Sequence, residues 1–175
     1  MIVYILSYSI ESFELRSRDS IIIMPNDCYN TIECYHEDTE IIKRLKEALS
    51  RDPPAFFAEF IPCSDYVNAY SYWGTKWDVY DVNIDEEQEN SLRVSFYTAW
   101  TPPLHAYELL QQQGFVIVAK FMESGNDFCG YWYDGYEKTF EHVSENMADV
   151  PEEFHFYFES DVEEEEEDED EDEKS

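Results

Sequence analysis

The chain has 175 residues, 43% hydrophobic and 17% aromatic, with 41 acids against 11 bases and a formal net charge of -30. This size suits one domain with appendages, and the apolar content is enough for a sizeable core. A surface this negative repels phosphate, which excludes ordinary DNA or RNA binding through a basic stripe and disfavours anionic membranes; basic proteins, polyamines and divalent cations remain as electrostatic partners.

The charge is uneven. Residues 161–173 hold twelve of the acids, Asp161 and then the unbroken run Glu163 to Glu173, yet residues 1–160 still carry 29 acids against 10 bases. The globular part is therefore acidic by itself. The segment 161–175 has no apolar side chain except Val162, so nothing offsets the entropy of ordering it, and disorder is expected there. Met1 to Ile10 lacks a basic leader, and Glu11, Glu14 and Arg16 follow quickly, so no signal peptide is expected. No apolar run approaches the length of a membrane helix. The four cysteines, Cys28, Cys34, Cys63 and Cys129, contain no C-x-x-C pair, and the default compartment is reducing and intracellular, host cytoplasm or nucleus.

Residues 1–24 hold two apolar patches, Ile2 to Leu6 and Ile21 to Met24, read as an N-terminal extension that forms a hairpin or an edge addition; Pro25-Asn26-Asp27 is a turn. From Cys28 to Tyr35 the residues alternate as in a strand, with Cys28, Asn30, Ile32 and Cys34 on one face. Asp38 then caps a helix whose apolar stripe is Ile41, Ile42, Leu45, Ala48 and Leu49, and Asp52-Pro53-Pro54 stops it. Phe56 to Ile61 reads as a short extended piece. Trp77 to Ile84 reads as a strand, Asp85 to Asn90 as a loop, and Ser91 to Thr98 as the returning strand of a hairpin. Thr101-Pro102-Pro103 signals a helix start, with Thr101 as cap, and the helix runs to about Gln113 before Gly114. Phe115 to Met122 is almost continuously apolar, as in a strand covered on both faces. Phe128 to Tyr133 pairs back on it. Beyond Gly135 the pattern weakens, and the spacing of Phe154, Phe156 and Phe158 suggests a terminal edge strand.

The order of the first six regular elements matches a split β-α-β plan, an antiparallel sheet with both helices on one face. Three motifs lie within it: Trp73-Gly74-Thr75-Lys76-Trp77-Asp78, then Thr98-Ala99-Trp100-Thr101-Pro102-Pro103, then Glu123-x-Gly125-x-x-Phe128-x-Gly130. With Cys28-Tyr29-Asn30-Thr31-Ile32 and Phe60-Ile61-Pro62, their wording and order resemble the YubB ferredoxin-like family of phages, plasmids and large DNA viruses. The resemblance covers about Cys28 to Tyr136. It implies a ferredoxin-like α/β (α+β) sandwich over residues 25–160 with a C-terminal extension; it does not imply an iron–sulfur cluster, and it supplies no catalytic residues to carry over. The first 24 residues and the acidic tail depart from it.

Each motif has two readings. The first could wall a pocket with the indoles of Trp73 and Trp77, Lys76 supplying a charge and Asp78 an acceptor; or the tryptophans fill core and Lys76–Asp78 is a surface pair. Trp100 stands at a strand-to-helix junction, where free N–H groups attract anions, or it is packed beside a helix cap. Glu123, Asp127, Asp78, Asp81 and Asp134 could form an acid/base or Ca²⁺/Mg²⁺ cluster, but no EF-hand spacing appears, and in so acidic a chain a solvated surface is expected. Cys28, Cys34 and His36 could seek zinc with Cys63 or Cys129. Six residues of strand, however, span roughly 20 Å, which favours buried thiols. No P-loop, GxGxxG, GxSxG or HExxH is present, and His105 and His142 sit in no recognisable frame for Cys–His chemistry.

The expected function is that of a non-enzymatic accessory protein of a virus or mobile element, needing no cofactor and binding a protein partner, with basic partners favoured by charge. Its candidate recognition surface is Trp73, Lys76, Trp77, Asp78, Trp100 and Glu123. The alternatives are an acidic nucleic-acid mimic that blocks a DNA- or RNA-binding protein, and an enzyme with a pocket around the first two motifs.

Overall fold

A computed structural model describes residues 26–63, 69–155 and 158. The N-terminal hairpin or edge addition and the disordered tail expected from sequence lie outside the described residues. Strand β1 (Asp27–Tyr35) buries Cys28, Asn30, Ile32 and Cys34 on one side, as its alternation dictates. Helix α1 (Thr39–Leu49) begins where the Asp38 carboxylate accepts the Glu40 amide at 3.0 Å, and it buries Ile42, Leu45, Ala48 and Leu49.

The segment expected to be extended is instead helix α2 (Phe56–Phe60). Phe56, Phe57 and Phe60 fall at i, i+1 and i+4, a one-sided helical stripe, and all three are buried. A short apolar run does not reveal its own period. Helix α3 (Ala69–Trp73) follows. Strand β2 (Tyr80–Glu87) starts three residues later than expected and runs into the expected loop, and β3 (Ser91–Ala99) returns beside it. The pairing of β2 with β3 slips twice, between Tyr80 and Asn83 and between Ile84 and Glu86.

Helix α4 (Leu104–Gln111) starts after Pro103 with no side-chain cap; the Thr101 hydroxyl expected to cap it is engaged elsewhere. Strand β4 (Val116–Glu123) pairs with β1 and with β5 (Phe128–Tyr133). A further strand, β6 (Tyr136–Glu141), pairs with β5. Asp134 and Gly135 join the two, both with positive φ, as a two-residue hairpin turn requires.

The sheet is antiparallel throughout, in the order β2-β3-β1-β4-β5-β6. One core joins the inner side chains of β1, β3 and β4 to α1, α2, α3 and α4, so α1 and α4 lie on the same face. Among the described residues, strand β4 is not covered on both sides: Ile117, Ala119 and Phe121 face the helices, whereas Val116 and Val118 are 49% and 43% exposed. Among the described residues, the opposite face is covered at one end only. There Val143, Val150, Phe154 and Phe158 pack on Met122 and Cys129, flanked by Tyr29 and Tyr131.

Glu152–Phe154 is a turn of 3₁₀ helix, not the edge strand expected. Phe154 and Phe158, four residues apart, are both buried, the spacing of one helical face. Glu153 binds this segment to the sheet through Lys120 at 2.7 Å and the Tyr131 hydroxyl at 3.1 Å; the lysine, then the tyrosine, hold its carboxyl below the usual range.

Candidate recognition groove

The first two motifs interlock at the β3–α4 junction. The Thr75 hydroxyl donates to the Ala99 carbonyl at 3.2 Å and accepts the Ala99 amide at 3.1 Å, replacing a strand partner where the sheet ends. Thr101 donates to the Gly74 carbonyl at 2.6 Å. Gly74 has φ +85°, and a Cβ there would lie 3.2 Å from the Leu104 amide nitrogen. Only glycine meets both conditions, so the loop after α3 lies directly against the start of α4.

Below this clasp lies a buried polar chain. Tyr107 donates to Asn30 Oδ1 at 3.2 Å, Asn30 Nδ2 donates to Thr98 Oγ1 at 2.9 Å, and Thr98 donates to the Thr101 carbonyl at 2.8 Å. Asn30 also donates to the Cys28 carbonyl at 2.9 Å. Fully bonded, such a chain fixes the mutual position of β1, β3 and α4. The alternation of β1 puts Asn30 on one face with Cys28, Ile32 and Cys34 without assigning it a role; a lone amide among those three is the signal that it needs partners inside.

The six residues of the expected recognition surface do not converge. Trp73 is wholly buried: its indole N–H donates to the Ile61 carbonyl at 2.9 Å, and its ring lies 5.5 Å from Phe57. Asp78 accepts the amides of Phe57 at 3.0 Å, Ala58 at 2.9 Å and Val79 at 2.9 Å, fastening the start of α2. Burial raises its carboxyl pKa even though these amides pull the other way. Glu123 is buried and accepts from Gly125 at 2.9 Å and Asn126 at 2.7 Å, closing the turn between β4 and β5.

Only Lys76, Trp77 and Trp100 meet. Lys76 Nζ lies 4.8 Å from the Trp100 ring centroid and 5.3 Å from that of Trp77, and the two rings are 5.8 Å apart. No Lys76–Asp78 ion pair forms; both indoles hold the ammonium instead. Trp100 is half-buried with φ +64°, a conformation bulky residues avoid, and it is held there by its amide on Asn26 O and by the clasp on either side.

The motifs come together in a different place. A groove of about 560 Å³ runs between α3, α4 and the β5–β6 hairpin. Its near wall is Gly74, Thr101, Pro102 and Leu104; its floor is Phe121 and Phe128, with ring centroids 6.3 Å apart; its far rim is Glu137, Thr139 and Glu141. Each motif thus contributes: Gly74 from the first, Thr101-Pro102 from the second and Phe128 from the third. Gly130, also of the third, lets the floor close: a Cβ on it would come within 2.7 Å of the Phe121 ring and nearer still to the Lys138 carbonyl oxygen. The β6 rim was missed from sequence, although Asp134-Gly135 between two aromatic-rich runs is a hairpin signal.

Burial pushes the thiols of Cys28, Cys34 and Cys129 each up to about 12. A maleimide or disulfide reagent at pH 8 is expected to modify the half-buried Cys63 first in the native protein, with the other three reacting only on unfolding; rapid reaction of all four in the native state refutes this. Among the described residues no three His, Cys, Asp or Glu side chains are grouped to hold a metal ion, and no helix is long and apolar enough to cross a membrane. No family model, no curated protein and no solved structure matches the chain.

Proposed function

We propose that the chain is an interaction protein that binds a basic protein partner inside the cell, as an accessory factor of a virus or mobile element. The finer fold reading goes with it. The order β2-β3-β1-β4 with α1 and α4 on one face is what a ferredoxin-like split β-α-β unit has, extended here by β5 and β6.

The observation that carries the partner reading is the state of the bases. Lys43, Arg44, Lys46, Arg51, Arg93 and Lys120 each lie within 4 Å of a carboxylate of the chain itself. Lys76 and Lys138, the remaining bases among the described residues, lie over aromatic rings. This includes the cluster at the end of α1, where Arg44 and Arg51 share Glu59 and hold its carboxyl below the usual range. Little positive charge is left to take up phosphates in series, while carboxylates stand in excess. Exposed pairs of this sort add little to stability, so their effect is on charge presentation.

The test is a titration of the full chain with a labelled Lys/Arg-rich peptide and, separately, with duplex DNA. At about 0.15 M salt the peptide is expected to bind, with affinity falling as salt rises, and DNA is expected not to. Tight DNA binding that is lost on neutralising Lys43, Arg44, Lys46 and Arg51 overturns the proposal.

A further inference from the structure

We infer that the groove is the docking site for an extended segment of that basic partner, carrying an aromatic or large aliphatic side chain flanked two residues away on each side by Lys or Arg. This rests on the basic-partner reading and adds where and how the partner is held. Glu137, Thr139 and Glu141 alternate along β6 and so project to one side of the strand. They stand opposite Trp132, Gly130 and Phe128 of β5. Four residues of strand separate the two carboxylates by roughly 13 Å. Between them is the one position on β5 that has no side chain, and beside it lies the floor of Phe121 and Phe128.

An extended segment has the same repeat as β6. A side chain at its middle position reaches the floor while those at positions two before and two after reach Glu137 and Glu141. Neither carboxylate is in an ion pair among the described residues, and the only charge-capable nitrogen group in the lining, His105, has its Nδ1 at 3.2 Å from the Ser71 carbonyl. Tyr70, 54% exposed at the mouth, offers a ring to a bound guanidinium.

The chemistry separates this groove from the other apolar surface of the fold. The opposite face of the sheet exposes Tyr35, Val116, Val118, Tyr133 and Tyr136, but there Glu33 and Glu86 pair with Arg93 and Glu153 pairs with Lys120, so these carboxylates are already taken up. In the groove an apolar floor and uncompensated carboxylates occur together, which is the pattern of an anchor pocket with a charged rim.

The test uses the full chain and fluorescence anisotropy with three labelled peptides: Arg-Ser-Trp-Ser-Arg between glycines, the same peptide with Ser for Trp, and the same with Gln for both Arg. The first is expected to bind, and each of the others about tenfold or more weaker. E137Q/E141Q alters only exposed side chains; it is expected to melt like the wild type and to lose about tenfold in affinity for the first peptide, while its affinity for the peptide lacking Trp changes little. If the Arg peptides bind with or without Trp, and equally to wild type and E137Q/E141Q, the groove inference is overturned and the basic-partner reading stands. If no Arg peptide binds at all, both fall.

Discussion

Trp73→Ala is expected to cost about 3–5 kcal/mol of folding stability, the range for truncating a buried aromatic residue. A domain of this size has only about 5–15 kcal/mol in total. Trp73 is the largest fully buried side chain at the place where α2, α3 and α4 meet the end of the sheet. Its removal opens a cavity against Phe57 and leaves the Ile61 carbonyl without its indole donor. Urea unfolding followed by far-UV circular dichroism measures the cost. Trp73→Phe keeps most of the packing and loses only the N–H donor, so it is expected to fall between wild type and alanine. A midpoint for Trp73→Ala within error of wild type excludes the packing role and returns Trp73 to the recognition surface.

Gly130→Ala is expected to destabilise by about 3 kcal/mol, near the top of the range for overpacking. The added methyl meets the Lys138 carbonyl oxygen and the Phe121 ring together. The ring could turn aside, but the carbonyl belongs to the backbone of β6, so the β5–β6 hairpin itself must move. The effect is therefore twofold: a lower urea midpoint, and early loss of amide protection along β6 in hydrogen exchange while β1 and β3 remain protected. The same displacement changes the groove floor, so the variant is also expected to bind the Trp-bearing peptide more weakly. Unaltered stability and unaltered exchange in β6 contradict the close approach.

The legible parts of this fold are those where one period dominates. Alternation through Cys28–Cys34 and Leu92–Phe96, and the stripe Ile42–Leu45–Leu49, each bury one face against the core, and any register error would turn that face to water. Segments with short or mixed patterns were misread. Phe56–Phe60 became a helix because i, i+1, i+4 burial was available beside Trp73 and Asp78 supplied amide acceptors at its start. Glu152–Phe154 became a 3₁₀ turn because Phe154 and Phe158 could share one apolar site on the open end of the sheet. The almost continuous apolar run of β4 did not mean two covered faces among the described residues; Val116 and Val118 share the open side with Lys120, the single charge in the run.

The candidate site shows the same division. Sequence by itself determined the three motifs, the acidic balance and the inner face of β1, because these depend on residue type and local period. It could not determine that Gly74, Thr101-Pro102 and Phe128, dozens of residues apart, wall one groove, nor that Trp73, Asp78 and Glu123 serve packing, a helix start and a turn. Those roles follow from which backbone groups lie within hydrogen-bond reach once β1 is central and the loop after α3 is pressed onto the start of α4. A carboxylate or an indole carries no record in its neighbours of the distant amide, carbonyl or ring it will meet. Tertiary structure decides that, because the free energy of burial is shared among parts of the chain that only the assembled sheet and its helices bring together.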